Sequence, residues 1–304
     1  MAVEIPFQKN LDFEYGVADR LSPLVRRVIA NNPGPFTFFG TGTYIVGQGD
    51  VVVIDPGPAE PAHIDAILSA TCGETISHIL VTHTHLDHSP ACALLQAHTD
   101  AKTYALGKHG LGRRRDDTDF GADWNFQPDV LLSDGETITN QQCSLTSLVT
   151  PGHASNHLSF YLEQENALFC GDAVMGWSTT IVSPPDGNMV DYMRTLRLLL
   201  ARDDAIYYPT HGAPIENPRL YVQALYAHRL EREQQILDCV ASGMHTVEDM
   251  LPVVYSETDV SLYPAAARSL LATVECLLDR KALYTKKNND TYYCLLYTSP
   301  SPRD

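Results

Sequence analysis

Along the first two-thirds of the chain, short apolar runs alternate with polar breaks rich in glycine, proline, aspartate and histidine. TYIVG and VVVID flank Gln48-Gly49-Asp50, a pattern that predicts a β-hairpin. HILVTH, AKTYAL, SLTSLVT, HLSFYL, NALFCG and AIYYPTH are further runs of strand length, of the buried or half-buried kind. Helical spacing falls between them over 59–70, after Ser89-Pro90, and over 190–200. Ser89 suits an N-cap and Pro90 a first helical turn. Strands interleaved with helices predict a layered α/β arrangement.

After about Pro218 the texture changes. RLYVQALYAHRLEREQQILDCVASG predicts one long amphipathic helix ending at Gly243. HTVEDMLPVVY predicts a second, with Thr246 as N-cap and Glu248 and Asp249 in its first turn. PAAARSLLATVECLLDRKAL predicts a third, and LYTKKNNDTYYCLL two short strands around Asn288-Asn289-Asp290. Three helices and a terminal hairpin describe a small winged-helix-like domain. The expected division is therefore 1–217, a layered α/β domain, and 218–296, the winged-helix-like domain. The last residues, YTSPSPRD (297–304), fit neither strand nor helix and read as a disordered tail or as sequence foreign to the natural gene product.

Composition narrows the class. A chain of 304 residues, 44% hydrophobic and 19% charged, can bury a substantial globular core. No apolar run approaches the roughly 20 residues of a membrane helix. MAVEIPFQKN lacks the basic and apolar regions of a secretory signal, so a cytoplasmic location is expected. The seven cysteines are odd in number, scattered and without a CxxC pair, as reduced thiols are. A net charge of −16 disfavours binding that depends on neutralising phosphates, although a local basic groove stays open as an alternative.

The candidate chemistry lies where apolar runs stop. HILVTH runs into VTHTHLDHSP (81–90), which holds His83, His85, Asp87 and His88. SLTSLVT runs into Pro151-Gly152-His153, ALFC into Gly171-Asp172, and AIYYPT into His211-Gly212. Strand ends converge on one rim of a sheet, where functional loops sit on a rigid scaffold. Five imidazoles and two carboxylates exceed the roughly four ligands of one tetrahedral Zn²⁺. They suit two divalent cations bridged by a carboxylate and a water. Imidazole and carboxylate without thiolate suit Zn²⁺, with Fe and Mn chemically admissible. The other histidines (63, 78, 98, 109, 157, 228 and 245) are assigned to surface or hydrogen-bonding roles, His157 as the start of the next strand.

His83-x-His85-x-Asp87-His88, followed in order by His153, Asp172 and His211, resembles the metallo-beta-lactamase superfamily over residues 20–215. The resemblance implies an αββα sandwich with two metals at one edge of its sheets. It implies that His83, His85 and His153 bind the first metal, that Asp87, His88 and His211 bind the second, and that Asp172 bridges them. Asp55, in VVVIDPG, matches an acidic residue that supports the metal loops from behind. A bridging aspartate resembles the glyoxalase II-like hydrolases and the RNA-processing nucleases; Cys170 stands two residues from that position and reads as a buried strand residue. AHRLEREQQIL, TVEDMLPVVY and CLLDRKALY resemble the winged-helix domain of the beta-lactamase-like protein 2 group, some of whose members cleave single-stranded RNA.

The expected mechanism is direct attack by a metal-activated water, with Asp87 and Asp172 holding the cations and orienting the nucleophile. The first reading is hydrolysis of a small-molecule ester, thioester or lactone, with Trp177, Ser178, Thr179 and Thr180 as candidate pocket residues. The alternative is a metal-dependent endoribonuclease, supported by the subfamily resemblance and Arg113-Arg114-Arg115, a triplet followed by Asp116 and Asp117. A non-catalytic metal-bearing scaffold is the third class, and the filled ligand set argues against it. Residues 218–296 carry eight Lys/Arg against ten Asp/Glu, a net of −2, and their third helix is nearly neutral, unlike a groove-binding helix. That domain is expected to pack on the catalytic domain and to shape the pocket or a homodimer contact.

Overall fold

Alternation along paired strands decides which side chains face which layer. The computed structural model describes residues 4–112, 121–288 and 291–296. The Arg113–Arg115 triplet, Asp116, Asp117 and the 297–304 tail lie outside the described residues. Among the described residues, the first sheet runs in chain order: β1 (Asp19–Arg20), β2 (Val25–Ile29), β3 (Gly42–Gln48), β4 (Asp50–Ile54), β5 (Thr75–Leu80), β6 (Lys102–Ala105) and β7 (Val130–Leu131). β1 to β4 are antiparallel and β4 to β7 parallel. The expected hairpin is present, with Gln48 opposite Asp50. The second sheet comprises β8 (Thr137–Thr139), β9 (Ser144–Val149), β10 (Leu158–Leu162), β11 (Ala167–Gly171) and β12 (Ile206–Pro209), in the order β12-β11-β10-β9-β8.

Val25, Tyr44, Val46, Val52 and Ile54 face inward and meet Leu145, Leu158, Phe160, Phe169 and Tyr208 of the second sheet. Their alternates Ile45, Val51 and Val53 face outward onto α1 (Pro61–Ala70) and α2 (Ala91–Gln96). On the far side, Leu168, Cys170 and Tyr207 pack under α3 (Met189–Leu200). The result is an α/β/β/α sandwich. Phe160 is fully buried opposite Phe169 between the sheets. Phe160→Ala is therefore expected to cost about 3–5 kcal/mol in urea denaturation, and a loss below about 1 kcal/mol would contradict this packing.

The C-terminal helices are α4 (Pro218–Ala241), α5 (Val247–Val254) and α6 (Tyr263–Asp279), followed by the hairpin of β13 (Leu283–Asn288) and β14 (Thr291–Leu296). Thr246 caps α5 by accepting from the Asp249 amide, as expected. Tyr221, Val222 and Leu225 of α4, with Ala272 and Cys276 of α6, join the core beneath α3, so these helices pack on the sandwich. The farther end of α4 packs with α5, α6, Leu283 and Cys294.

Ser89 does not cap α2. Its hydroxyl donates to Asp123 Oδ2 at 2.7 Å, and no side-chain cap is made at that helix start. Donating to the buried Asp123 carboxylate turns the hydroxyl away from the helix amides it would have to accept from. β2, with the sequence VRRVI, breaks the apolar pattern; Arg27 is nevertheless buried, donating to Gly212 O and Asp19.

Candidate metal centre

The loops that follow β5, β9, β11 and β12 meet at one edge of the sandwich, and all seven predicted ligands are brought together there. His83 Nε2 and His153 Nε2 lie 2.9 and 3.0 Å from His85 Nδ1. His211 Nε2 and His88 Nε2 lie 3.2 and 3.3 Å from Asp87 Oδ2. Asp172 Oδ2 stands between the two groups, 3.6 Å from His153 Nε2, 3.7 Å from His88 Nε2 and 3.5 Å from His211 Nε2. The ligand atoms of His83, His85 and His153 lie within 4.8 Å of one another, as do those of Asp87, His88 and His211.

Hydrogen bonds on the outer ring nitrogens fix which inner ones are bare. His153 Nδ1 donates to Ile181 O at 2.6 Å, and His211 Nδ1 to Gly40 O at 3.2 Å. His88 Nδ1 donates to Asp55 Oδ2 at 3.0 Å. Thr82 Oγ1 donates to Asp55 Oδ2, leaving that hydroxyl to accept from His83 Nδ1. In the neutral tautomer each Nε2 therefore presents a lone pair to the centre. His88 Nε2 and Asp172 Oδ1 are buried without a hydrogen-bond partner. Lone pairs aimed at carboxylates and at one another are costly unless a cation lies between them.

The electrostatics carry the same demand. Burial, reinforced by neighbouring imidazoles, holds His83 and His85 well below the usual histidine range, so protonation does not relieve that triad. Burial also opposes charge on His88 and His211, but the carboxylates outweigh it and lift His211 to about 10. Burial opposes ionisation of Asp87 and Asp172, and the His88 and His211 imidazoles reverse this, holding both carboxyls well below their usual range. The donor set fits two divalent cations: all oxygen and imidazole nitrogen, preoriented and short of positive charge.

Asp55 organises the centre from behind. Its carboxylate is buried and accepts from the Thr82 amide at 2.7 Å, Thr82 Oγ1 at 2.7 Å, His88 Nδ1 at 3.0 Å and Thr210 Oγ1 at 3.3 Å. Its backbone is left-handed at φ 50, which aspartate tolerates better than most residues.

A family profile for the metallo-beta-lactamase superfamily matches residues 36–211, more than half of the chain. The chain belongs to the metallo-beta-lactamase superfamily. A beta-lactamase associated winged helix domain matches residues 246–280 of this superfamily member. It is 30% identical over 290 residues to the lactamase-like protein vrtG of Penicillium aethiopicum, covering 89% of this chain and 87% of the relative. An atrochrysone carboxyl ACP thioesterase of Aspergillus chevalieri is 30% identical over 278 residues, covering 87% and 84%. The beta-lactamase-like protein 2 homolog of Caenorhabditis elegans is 30% identical over 257 residues, covering 83% of each chain. A beta-lactamase domain protein of Burkholderia ambifaria shares the fold, with a TM-score of 0.77 at 20% identity over 96% of this chain and 97% of that one.

Several supporting residues of this metallo-beta-lactamase fold escaped the sequence reading. His157 does precede β10, but its Nε2 accepts from the Asp172 amide at 3.1 Å while Nδ1 donates to Thr150 Oγ1. Thr82, Thr150 and Thr210, all buried, each close an apolar run just before a ligand loop. That recurrence was the available signal. Thr180 is buried and donates to Asp172 O at 2.9 Å. Trp177, Ser178 and Thr179 are half-buried on the same loop, and Trp177 stacks on Phe38 with centroids 4.7 Å apart. Among the described residues, no helix is long and apolar enough to cross a membrane.

Away from the centre, burial lowers the imidazoles of His63 and His228 to about 4 and about 3. The unfolded chain binds these protons first, near pH 6.5. Their contribution is therefore complete above pH 6.5 and is lost as pH falls toward 4. Urea midpoints of the metal-free protein should fall between pH 7 and 4.5, and His63→Gln should flatten that slope; an unchanged slope would contradict it.

Proposed function

We propose that this metallo-beta-lactamase superfamily hydrolase holds two divalent cations, Zn²⁺ fitting best, and cleaves the thioester or related ester of a small acyl substrate with water. The observation that carries this reading is Asp172 Oδ2, within 3.5–3.7 Å of bare imidazole nitrogens from both triads. His83, His85 and His153 would hold one ion, Asp87, His88 and His211 the other, and Asp172 both. When bound, such ions supply Lewis acidity and bring the pKa of a water near neutrality. Asp87 and Asp172 divide their tasks by exposure. The Asp172 side chain is 7% exposed and closed to solvent, a shared anion between the triads. The Asp87 side chain is 25% exposed and steadied by Thr41 Oγ1 at 3.1 Å, an anion on the open side of the centre that can orient a water.

The thioester is favoured because relatives covering most of their own length carry the name thioesterase. A chain of net charge −16 is a poor receptor for a polyanion. Purified protein and its chelator-stripped form should be assayed against acyl thioesters, lactones, a chromogenic beta-lactam and single-stranded RNA. Thioester hydrolysis lost on stripping and restored by Zn²⁺ is expected. Metal-dependent RNA cleavage without thioesterase activity would replace this reading with the endonuclease one.

A further inference from the structure

Three of the seven ligands depend on one irregular segment, residues 172–187, and the C-terminal helices hold that segment. The strap begins at Asp172 itself. Thr180 Oγ1 donates back to Asp172 O at 2.9 Å, and Ile181 O takes the Nδ1 proton of His153 at 2.6 Å. The Gly176 amide donates to His211 O at 3.0 Å. Further along, Asp186 accepts from the Ser155 amide and hydroxyl, two residues past His153. A Cβ on Gly187 would lie 2.5 Å from Ser183 N and 3.1 Å from His153 O, so the strap lies directly on the His153 loop.

Its outer side is pinned from α4 and α6. Tyr221 Oη donates to Met175 O at 2.7 Å. The Arg229 guanidinium is buried at 4% exposure, donates to Thr180 O, and lies 5.2 Å over the Tyr192 ring. Tyr192 in turn donates to Ala173 O at 3.1 Å. From α6, Arg268 donates to Ser183 Oγ at 2.5 Å and to Pro184 O. A guanidinium is an expensive group to bury, and that of Arg229 is held by one strap carbonyl, Thr180 O, and the Tyr192 ring face, while the half-buried Arg268 spans Ser183 Oγ and Pro184 O. The segment it holds has no sheet partners of its own and would otherwise sample other conformations.

We propose that Arg229 and Arg268 are positioning residues: from the C-terminal helices they hold the 172–187 strap in the geometry that aims His153 and Asp172 at the cations. The second domain is then a working part of the metal centre. This rests on the two-cation reading above, and acts through the outer hydrogen bonds that orient ligands.

The test uses the full chain, Zn²⁺ alone as probe, and competition with a chromogenic chelator to read stoichiometry and affinity. Wild type should take two ions. Arg229→Met and Arg268→Ala should each weaken one ion by about 10-fold to 100-fold, with Arg229→Lys recovering part of the loss through its ammonium group. The rise in Tm that Zn²⁺ produces should shrink in the same variants. A merely structural role would instead lower metal-free and metal-loaded Tm equally and leave both affinities intact. Arg194→Ala, which removes an exposed ion pair on α3, should change neither. If Arg229→Met does not fold, Arg268→Ala and Thr180→Val decide. Two ions bound with wild-type affinity by folded Arg268→Ala and Thr180→Val would overturn the brace. Fewer than two ions in wild type would instead overturn the two-cation reading.

Discussion

Asp172→Asn is expected to cost one bound divalent cation per chain and to lower hydrolysis by on the order of 10³-fold, about 4 kcal/mol of transition-state stabilisation. The carboxylate is the group whose single oxygen faces nitrogens of both triads. An amide of the same shape carries no charge, and its NH₂ would spend a proton on one bare imidazole instead of sharing a lone pair between two ions. The surrounding support is untouched by the change, since Thr180 and His157 bond the Asp172 backbone and not its side chain. Metal content by elemental analysis and kcat/KM on a thioester check this together. Unchanged metal content and rate would sink the shared-ligand assignment.

The second large effect is expected at Asp55, which touches neither a cation nor substrate. Asp55→Ala leaves the Thr82 amide, the Thr82 and Thr210 hydroxyls and His88 Nδ1 without their acceptor in a buried site. Stranding several buried donors should destabilise the metal-free fold by about 3–5 kcal/mol. It should also weaken cation binding by about 10-fold to 100-fold, because His83 and His88 both take their orientation from this carboxylate, His83 through Thr82. Asp55→Asn, which keeps the left-handed backbone acceptable and one acceptor oxygen, should fall between. Urea denaturation and chelator competition separate the two losses. An Asp55→Ala protein as stable and as metal-avid as wild type would remove Asp55 from the centre.

The two halves of this molecule were unequally legible in its sequence. The candidate ligands stood out because a histidine or aspartate at the end of a buried apolar run needs a partner, and each of the four runs ended in one. The hairpin at Gln48-Gly49-Asp50 and the capped start of α5 were legible because turn and cap preferences act over three or four residues. Where a residue had two local options, sequence alone chose the wrong one. Ser89 looked like a cap, yet its hydroxyl turns to the Asp123 carboxylate. Asp123 is distant in sequence and lies on a loop whose path no pattern specifies.

By itself, then, the order of residues determined the strand ends, the inventory of candidate donors and the family, because those depend on residue type, spacing and short-range periodicity. Only the tertiary structure decided which nitrogen of His88, His153 and His211 is bare, since that depends on Asp55, Ile181 O and Gly40 O arriving from other loops. It also decided that Asp172 stands between the triads and that Arg229 and Arg268 reach the strap beside it. The physical reason is range: periodicity and capping are set within a turn or two of chain, whereas hydrogen-bond partners in a buried site are set by whichever groups the packed layers bring within about 3 Å.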